Sequence, residues 1–259
     1  MSASRTALIT GASNGIGYEL SKLFAADGYQ LVLVARSAQK MEELAQELRR
    51  EHKINVTVLA KDLSLPGAAQ EIFQALTAQK IEIDVLVNNA GFGINEQFAG
   101  TSSQDVQQML QLNIVSLTTL THLFLPMMKQ RGAGRILNVG STGSFSPVAS
   151  MAVYGATKAY VLSFSEALSE ELRGTGISVT ALCPGVTSTG FQSRAGMGET
   201  VLHRLSQMTA KEVAQIGYRA MQRGKAVVVP GFINRLIVES IRLTPRAIVR
   251  RVTHRMMEA

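Results

Sequence analysis

Alternation constrains this chain more than any other feature of it. Short runs rich in Val, Ile and Leu recur at 6–10, 30–35, 55–60, 84–87, 135–139, 178–182 and 226–229. Longer stretches with helical periodicity separate them, near 15–28, 38–52, 67–80, 103–131, 150–173 and 210–223. Strands that are apolar without interruption belong in a parallel sheet covered by helices on both faces. The sequence therefore predicts an α/β fold, a seven-stranded doubly wound (Rossmann-type) parallel sheet with helices on both faces. Each strand–helix–strand crossover must be right-handed, so the strand C-terminal ends gather along one edge and the binding crevice opens there.

With 259 residues, 46% hydrophobic and 17% charged, the chain reads as one globular domain over 1–259 whose core needs no disulfide or metal. Its one cysteine, Cys183, has no partner within the chain, and no Cys/His cluster has metal-ligand spacing, so no metal is expected and a reducing, cytoplasmic compartment is favoured. A strand-like run starts at Thr6 and no apolar stretch approaches the roughly 20 residues a bilayer demands, so a soluble or at most peripheral protein is expected. The formal charge of +7 is unevenly placed: residues 1–193 hold 14 Lys+Arg against 15 Asp+Glu, and residues 194–259 hold 12 against 4. No zinc-finger spacing, basic zipper or aromatic RNA-binding signature accompanies that excess, which argues against a dedicated nucleic-acid binder.

Motifs should cluster just after strands. Behind the first stands Thr10-Gly11-Ala12-Ser13-Asn14-Gly15-Ile16-Gly17, with a helical pattern starting inside it. Gly11 permits a tight turn, Gly15 clears the way for backbone to approach a pyrophosphate, Gly17 allows close helix packing, and the free N–H groups of the helix start attract the anion. Ser13, Asn14 and Ile16 belong to the same phosphate cradle. At the end of the second strand, where a carboxylate would hold a ribose diol, the sequence reads Ala35-Arg36-Ser37. A guanidinium there accommodates a 2′-phosphate, which predicts NADP(H) in preference to NAD(H). Asp62 and Leu63, the segment Asn88-Asn89-Ala90-Gly91, and Pro184, Gly185, Thr187 and Thr189 stand at three further strand ends and form the wall of an elongated groove. Tyr154 and Lys158 lie one helical turn apart on one face. A cation there favours the phenolate and brings the phenol toward a usable acid–base range. Ser141, after the fifth strand, is placed to hydrogen-bond a carbonyl oxygen, with Thr142 and Ser144 as neighbouring hydroxyls able to substitute.

Taken together these residues resemble the short-chain dehydrogenase/reductase family, from Thr6 to about Thr189. The family's glycine motif falls on Thr10 to Gly17, its adenine-pocket Asp on Asp62, its Asn-Asn-Ala-Gly on Asn88 to Gly91, and its catalytic Asn, Ser, Tyr and Lys on Asn113, Ser141, Tyr154 and Lys158. The resemblance implies reversible hydride transfer between a nicotinamide and a carbonyl carbon, with Ser141 on the oxygen and Tyr154 passing the proton. It implies that Lys158 holds ribose hydroxyls and tunes Tyr154, that Asn113 anchors a proton-relaying water, and that Thr189 reaches the carboxamide. It further implies a homodimer or homotetramer assembled through two long helices. Thr187 departs from the usual Val or Ile, and Asn14 stands where some NADP-preferring members carry a basic residue, leaving Arg36 alone to specify the phosphate. Gly91-Phe92-Gly93 and the Val-Val-Val-Pro-Gly run resemble the branch of 3-oxoacyl and steroid-type reductases.

A bulky lipophilic carbonyl is the expected substrate, enclosed by Phe92, Phe98, Phe145, Pro147, Met151, Phe191, Met197, Leu202 and Met208. Residues 190–208 mix Gly, Ser and Met without periodicity and read as a mobile lid. Residues 232–259 read as two amphipathic helices whose polar sides carry Arg235, Arg242, Arg246, Arg250, Arg251 and Arg255. A solvated basic face over a subunit contact or pocket lid is the favoured reading of this tail. An anionic membrane surface, an acyl-phosphate or thioester carrier substrate and an acidic partner also suit it. The alternative to an enzyme is an NADP(H)-binding sensor or scaffold acting through the tail.

Overall fold

In the computed structural model, which describes residues 5–189 and 207–258, the β-branched runs become strands and the periodic stretches become helices. In chain order these are β1 (Thr6–Thr10), α1 (Gly15–Ala26), β2 (Gln30–Ala35), α2 (Ala38–His52), β3 (Val56–Ala60), α3 (Ala68–Ala78) and β4 (Val85–Asn88). The second half continues with α4 (Ser103–Leu110), α5 (Leu117–Arg131), β5 (Gly134–Val139), α6 (Ala152–Glu171) and β6 (Ile177–Leu182). It ends with the short strands β7 (Thr187–Ser188) and β8 (Met208–Thr209), then α7 (Ala210–Gln222), β9 (Val227–Val228), α8 (Phe232–Leu243) and α9 (Arg246–Glu258).

The main sheet has the order β3-β2-β1-β4-β5-β6-β9, and all its pairs are parallel. The strand order reverses between β1 and β4, and a crevice forms there because the chain leaves those two strands toward opposite sides. β7 and β8 form a separate parallel pair beside it. One sheet face is covered by α1, α2 and α7, where Phe24 meets the rings of Tyr29 and Tyr218 edge-on at 5.1 and 4.8 Å. The other face is covered by α3, α5 and α6.

The expected single helix over 103–131 is not continuous. Between α4 and α5 the chain forms a π-helical segment, Gln111–Ser116, whose wider turn rotates Asn113 inward. Among the described residues no helix is long and apolar enough to cross a membrane, and no group of three His, Cys, Asp or Glu is arranged to hold a metal. Of the proposed lid, residues 190–206, with Phe191, Met197 and Leu202, lie outside the described residues.

Candidate active site

The switch point opens into a cleft of about 950 Å³ that runs from the β1–α1 turn to the C-terminal helices. At its first end Gly11 and Gly15 hold the left-handed conformation at φ 68° and 59°, which costs a glycine nothing. A Cβ on Gly11 would lie 2.7 Å from Asn89 Nδ2, and one on Gly15 would lie 3.0 Å from Thr189 Cγ2. Side chains would thus fill the cradle. Asn14 caps α1, its Oδ1 accepting from the Gly15 N–H at 2.7 Å, while Ser13, Asn14, Gly15 and Ile16 all line the cleft. Gly17 does not line it. A Cβ there would come within 2.5 Å of Asn89 Nδ2, so Gly17 serves the packing that shapes the turn.

The Asn-Asn-Ala-Gly segment divides its labour between core and cleft. Asn88 points into the sheet interior, donating to Asn138 at 2.9 Å and to Thr121 at 3.1 Å. The Asn89 amide donates to the carbonyls of Thr10 and Gly11 at 2.9 and 3.2 Å, and Thr10 Oγ1 accepts from the N–H groups of Asn89 and Ala90 at 3.0 Å each. These bonds fasten the β4 end to the β1 end. Asn89, Ala90 and Gly91 then present their remaining surface to the cleft.

At the β2 and β3 ends Asp62 Oδ1 accepts from the backbone and hydroxyl of Ser64 at 2.9 and 2.7 Å, which fixes its orientation. Arg36 stands 4.0 Å from Asp62, and both line the cleft with Leu63. Arg36 is not the lone cation expected from sequence: Lys40, one turn into α2, and Lys61, beside Asp62, line the same cleft. Arg36 and Lys61 each face a carboxylate, Asp62 at 4.0 Å and Glu71 at 2.5 Å, so three cations stand against two carboxylates and the corner keeps a net positive field for a phosphate.

At the centre Tyr154, in the first turn of α6, is hydrogen-bonded to Ser141, and both line the cleft. Ser141 Oγ also accepts from the Gly143 N–H at 3.0 Å, while Ser144 Oγ accepts from the Ser141 N–H at 3.2 Å, so Ser144 positions the turn and Ser141 is the hydroxyl that meets Tyr154. Burial pushes the Tyr154 phenol up to about 12, opposed by the Ser141 hydrogen bond. Burial also pushes the Lys158 ammonium down to about 8. This differs from the sequence reading, in which the cation lowers the phenol. Lys158 Nζ instead donates to the Val139 carbonyl at 2.8 Å and lies 5.7 Å from the Tyr154 ring centroid, so desolvation outweighs the charge at that range.

Asn113 is buried behind this pair and does not line the cleft. Its Nδ2 donates to Phe92 O at 2.9 Å and Thr157 Oγ1 at 3.0 Å, and its Oδ1 accepts from the Phe92 N–H at 3.2 Å. A Cβ on Gly91 would lie 3.1 Å from Asn113 Oδ1 and 3.3 Å from Lys158 Nζ, so both side chains close on the space a bare backbone leaves. Gly93 stands in the Gly-Phe-Gly run after Asn88-Asn89-Ala90. A Cβ there would strike the Tyr154 ring at 2.7 Å and Met151 Cε at 2.9 Å, so this glycine makes room for the phenol.

The far end of the cleft departs most from the sequence reading. Phe92 and Met151 line it, but Phe98 is 64% exposed and points elsewhere, Phe145 and Pro147 line a neighbouring cavity, and Met208 packs against the core. The apolar wall comes from the tail: Ile237 and Ile241 of α8 with Ile248, Val249 and Val252 of α9. Asn234 anchors α8, donating to Pro230 O at 2.9 Å beside Gly185, where any Cβ would lie 2.5 Å from its Oδ1. Pro184, Gly185, Thr187 and Thr189 also line the cleft, and Thr187 Oγ1 donates to Gly185 O at 3.0 Å. The inward stripe of the two tail helices was legible as amphipathic spacing. Where that stripe would pack was not.

A model of the short chain dehydrogenase family matches residues 5–200. The chain is 32% identical over 215 residues to the NADP-dependent 3-hydroxy acid dehydrogenase YdfG of Escherichia coli K12, covering 80% of this chain and 85% of that one. A solved short-chain dehydrogenase from Sphingobium yanoikuyae in complex with NADPH is 36% identical, with a TM-score of 0.82 and 88% of each chain covered. The bulky-bulky ketone specific alcohol dehydrogenase from Comamonas testosteroni is 33% identical, with a TM-score of 0.78 and 92% of each covered.

Proposed function

The chain belongs to the short-chain dehydrogenase family, whose members interconvert carbonyls and alcohols, and on that premise we propose that it is an NADPH-dependent reductase of a bulky lipophilic ketone or aldehyde. One observation carries the reading: the Ser141 and Tyr154 hydroxyls are bonded to each other on the wall of a cleft whose far end is apolar. NADP(H) fits the near end, where bare glycines form a cradle a Cβ would fill and Arg36, Lys40 and Lys61 provide for a 2′-phosphate; when bound it supplies the hydride.

The chain's own residues supply the rest. With its phenol held near 12, Tyr154 is protonated at neutral pH and gives its proton to the carbonyl oxygen as that oxygen gains charge. Ser141 donates a hydrogen bond to the same oxygen and fixes it within reach of the phenol. Lys158, its ammonium near 8, stays largely protonated at neutral pH and keeps a positive charge close to this pair, and Asn113 holds the Phe92 backbone that shapes the wall. Ile237, Ile241, Val249 and Val252 exclude water from the carbonyl and favour an apolar body.

Two associations complete the proposal. A homodimer or homotetramer forms through α5 and α6, on whose outer side Tyr160 is exposed and stacks on Phe164 at 5.8 Å. Contact with an anionic membrane is supported by the outer face of α8, where Phe232, Leu236 and Leu243 are exposed beside arginines. Co-sedimentation with anionic vesicles at low salt tests this, and failure to bind removes it.

NADPH oxidation across 3-oxoacyl thioesters, steroid ketones and aliphatic and aromatic aldehydes tests the main reading. Turnover should disappear in Tyr154→Phe. Better turnover of polar sugars or small hydroxy acids would refute the lipophilic substrate, and tight NADPH binding without turnover would return the weight to a sensor or scaffold.

A further inference from the structure

A second cavity, of about 170 Å³, lies beside the far end of the cleft. The loop after the Ser141 turn faces both by simple alternation: Ser146 and Val148 line the cleft, whereas Phe145 and Pro147 line the smaller cavity. Ile241 and Val249 line both, so the two spaces adjoin along these apolar side chains. The remaining walls are Arg242 and Arg246. Arg242 is 71% exposed and only loosely held, 3.5 Å from Glu239 one turn back. Arg246 makes no ion pair with a described residue.

Resting on the reductase reading above, we propose that this side cavity is an anion subsite and that the substrate is an amphiphilic ketone carrying a carboxylate at the end remote from the carbonyl. The apolar body lies along Ile241 and Val249, and the carboxylate sits between the Arg242 and Arg246 guanidiniums. A guanidinium fork matches a planar carboxylate with two parallel hydrogen bonds, which a neutral ester cannot reproduce. The cavity has room for about six water volumes, enough for a carboxylate and its adjoining methylenes. The cationic excess of the last quarter of the chain raises the local concentration of such an anion before it docks.

The test pairs 9-oxodecanoate with its methyl ester, both assayed for NADPH oxidation, and uses the double variant Arg242→Ala/Arg246→Ala. The acid should exceed the ester in kcat/KM by about fivefold to tenfold at low salt, the range open to two exposed cations, and the ratio should fall toward one in the double variant and in high salt. A ratio near one in the unmodified protein, or a ratio that survives the double substitution, overturns the subsite. Calorimetric binding of octanoate and of 1-octanol to the NADPH complex needs no turnover. Selective weakening of octanoate in the double variant supports the subsite even if neither ketone is reduced, an outcome that would count against the reductase alone. Equal binding of octanoate by both proteins overturns the subsite whether or not the ketones react.

Discussion

Lys158→Met should stabilise the cofactor-free protein while destroying its activity. Lys158 is 6% exposed, and burial lowers its ammonium from an ordinary value of 10.5 to about 8. A lowered lysine is a cost to folding: below both values the folded state must keep a charge it disfavours, and that difference corresponds to about 3 kcal/mol at pH 7. Methionine removes the charge at similar length. It also leaves the Val139 carbonyl without its 2.8 Å donor, which offsets about 1 kcal/mol, so a net gain of about 2 kcal/mol is expected. The sign fixes the pH dependence. As pH rises from 8 toward 10.5 the folded protein loses the proton before the unfolded chain does, the cost fades, and the advantage of the variant should be close to zero near pH 10. Urea unfolding of both proteins at pH 7 and near pH 10 measures this directly. A variant less stable at pH 7, or an advantage that does not shrink with pH, would refute the reasoning that burial sets the state of this lysine.

Arg36→Ala should weaken NADPH about tenfold and leave NADH nearly unchanged, with Lys40 and Lys61 retaining part of the preference; equal weakening of both cofactors in a binding titration would remove Arg36 from the phosphate corner. Gly93→Ala drives a methyl into the Tyr154 ring, so kcat should fall at least about tenfold while the NADPH Kd is unchanged; wild-type turnover would show that the ring has slack. Tyr218→Phe deletes the hydroxyl that donates to Asp27 Oδ2 at 2.5 Å and joins α7 to the end of α1, and urea unfolding should report a loss of about 1 kcal/mol without a change in substrate KM.

The order of strands and helices, the cradle at Gly11 to Gly17 and the Ser141, Tyr154 and Lys158 set were written in the sequence, because each depends on a short local period or on residues that stand directly after a strand. Gly11 must be glycine for its own φ, and Tyr154 and Lys158 share a face through helix geometry alone. The tertiary structure decided what depends on distant neighbours. Asn113 turns inward only because the expected long helix opens into a π segment against Phe92 and Thr157. Asn89 spends its amide on Thr10 and Gly11, some 78 residues earlier, which no local pattern displays. Phe98, apolar and near the motif, turns to solvent, while Ile237, Ile241 and Val249 from the tail close the cleft in its place. Burial, a property of the whole fold, reversed the expected effect at Tyr154: its phenol rises because water is excluded, and Lys158 lies 5.7 Å from the ring with its ammonium turned to Val139. Local periodicity and backbone conformation are carried by the sequence itself, whereas proximity and dielectric environment exist only once the chain has folded.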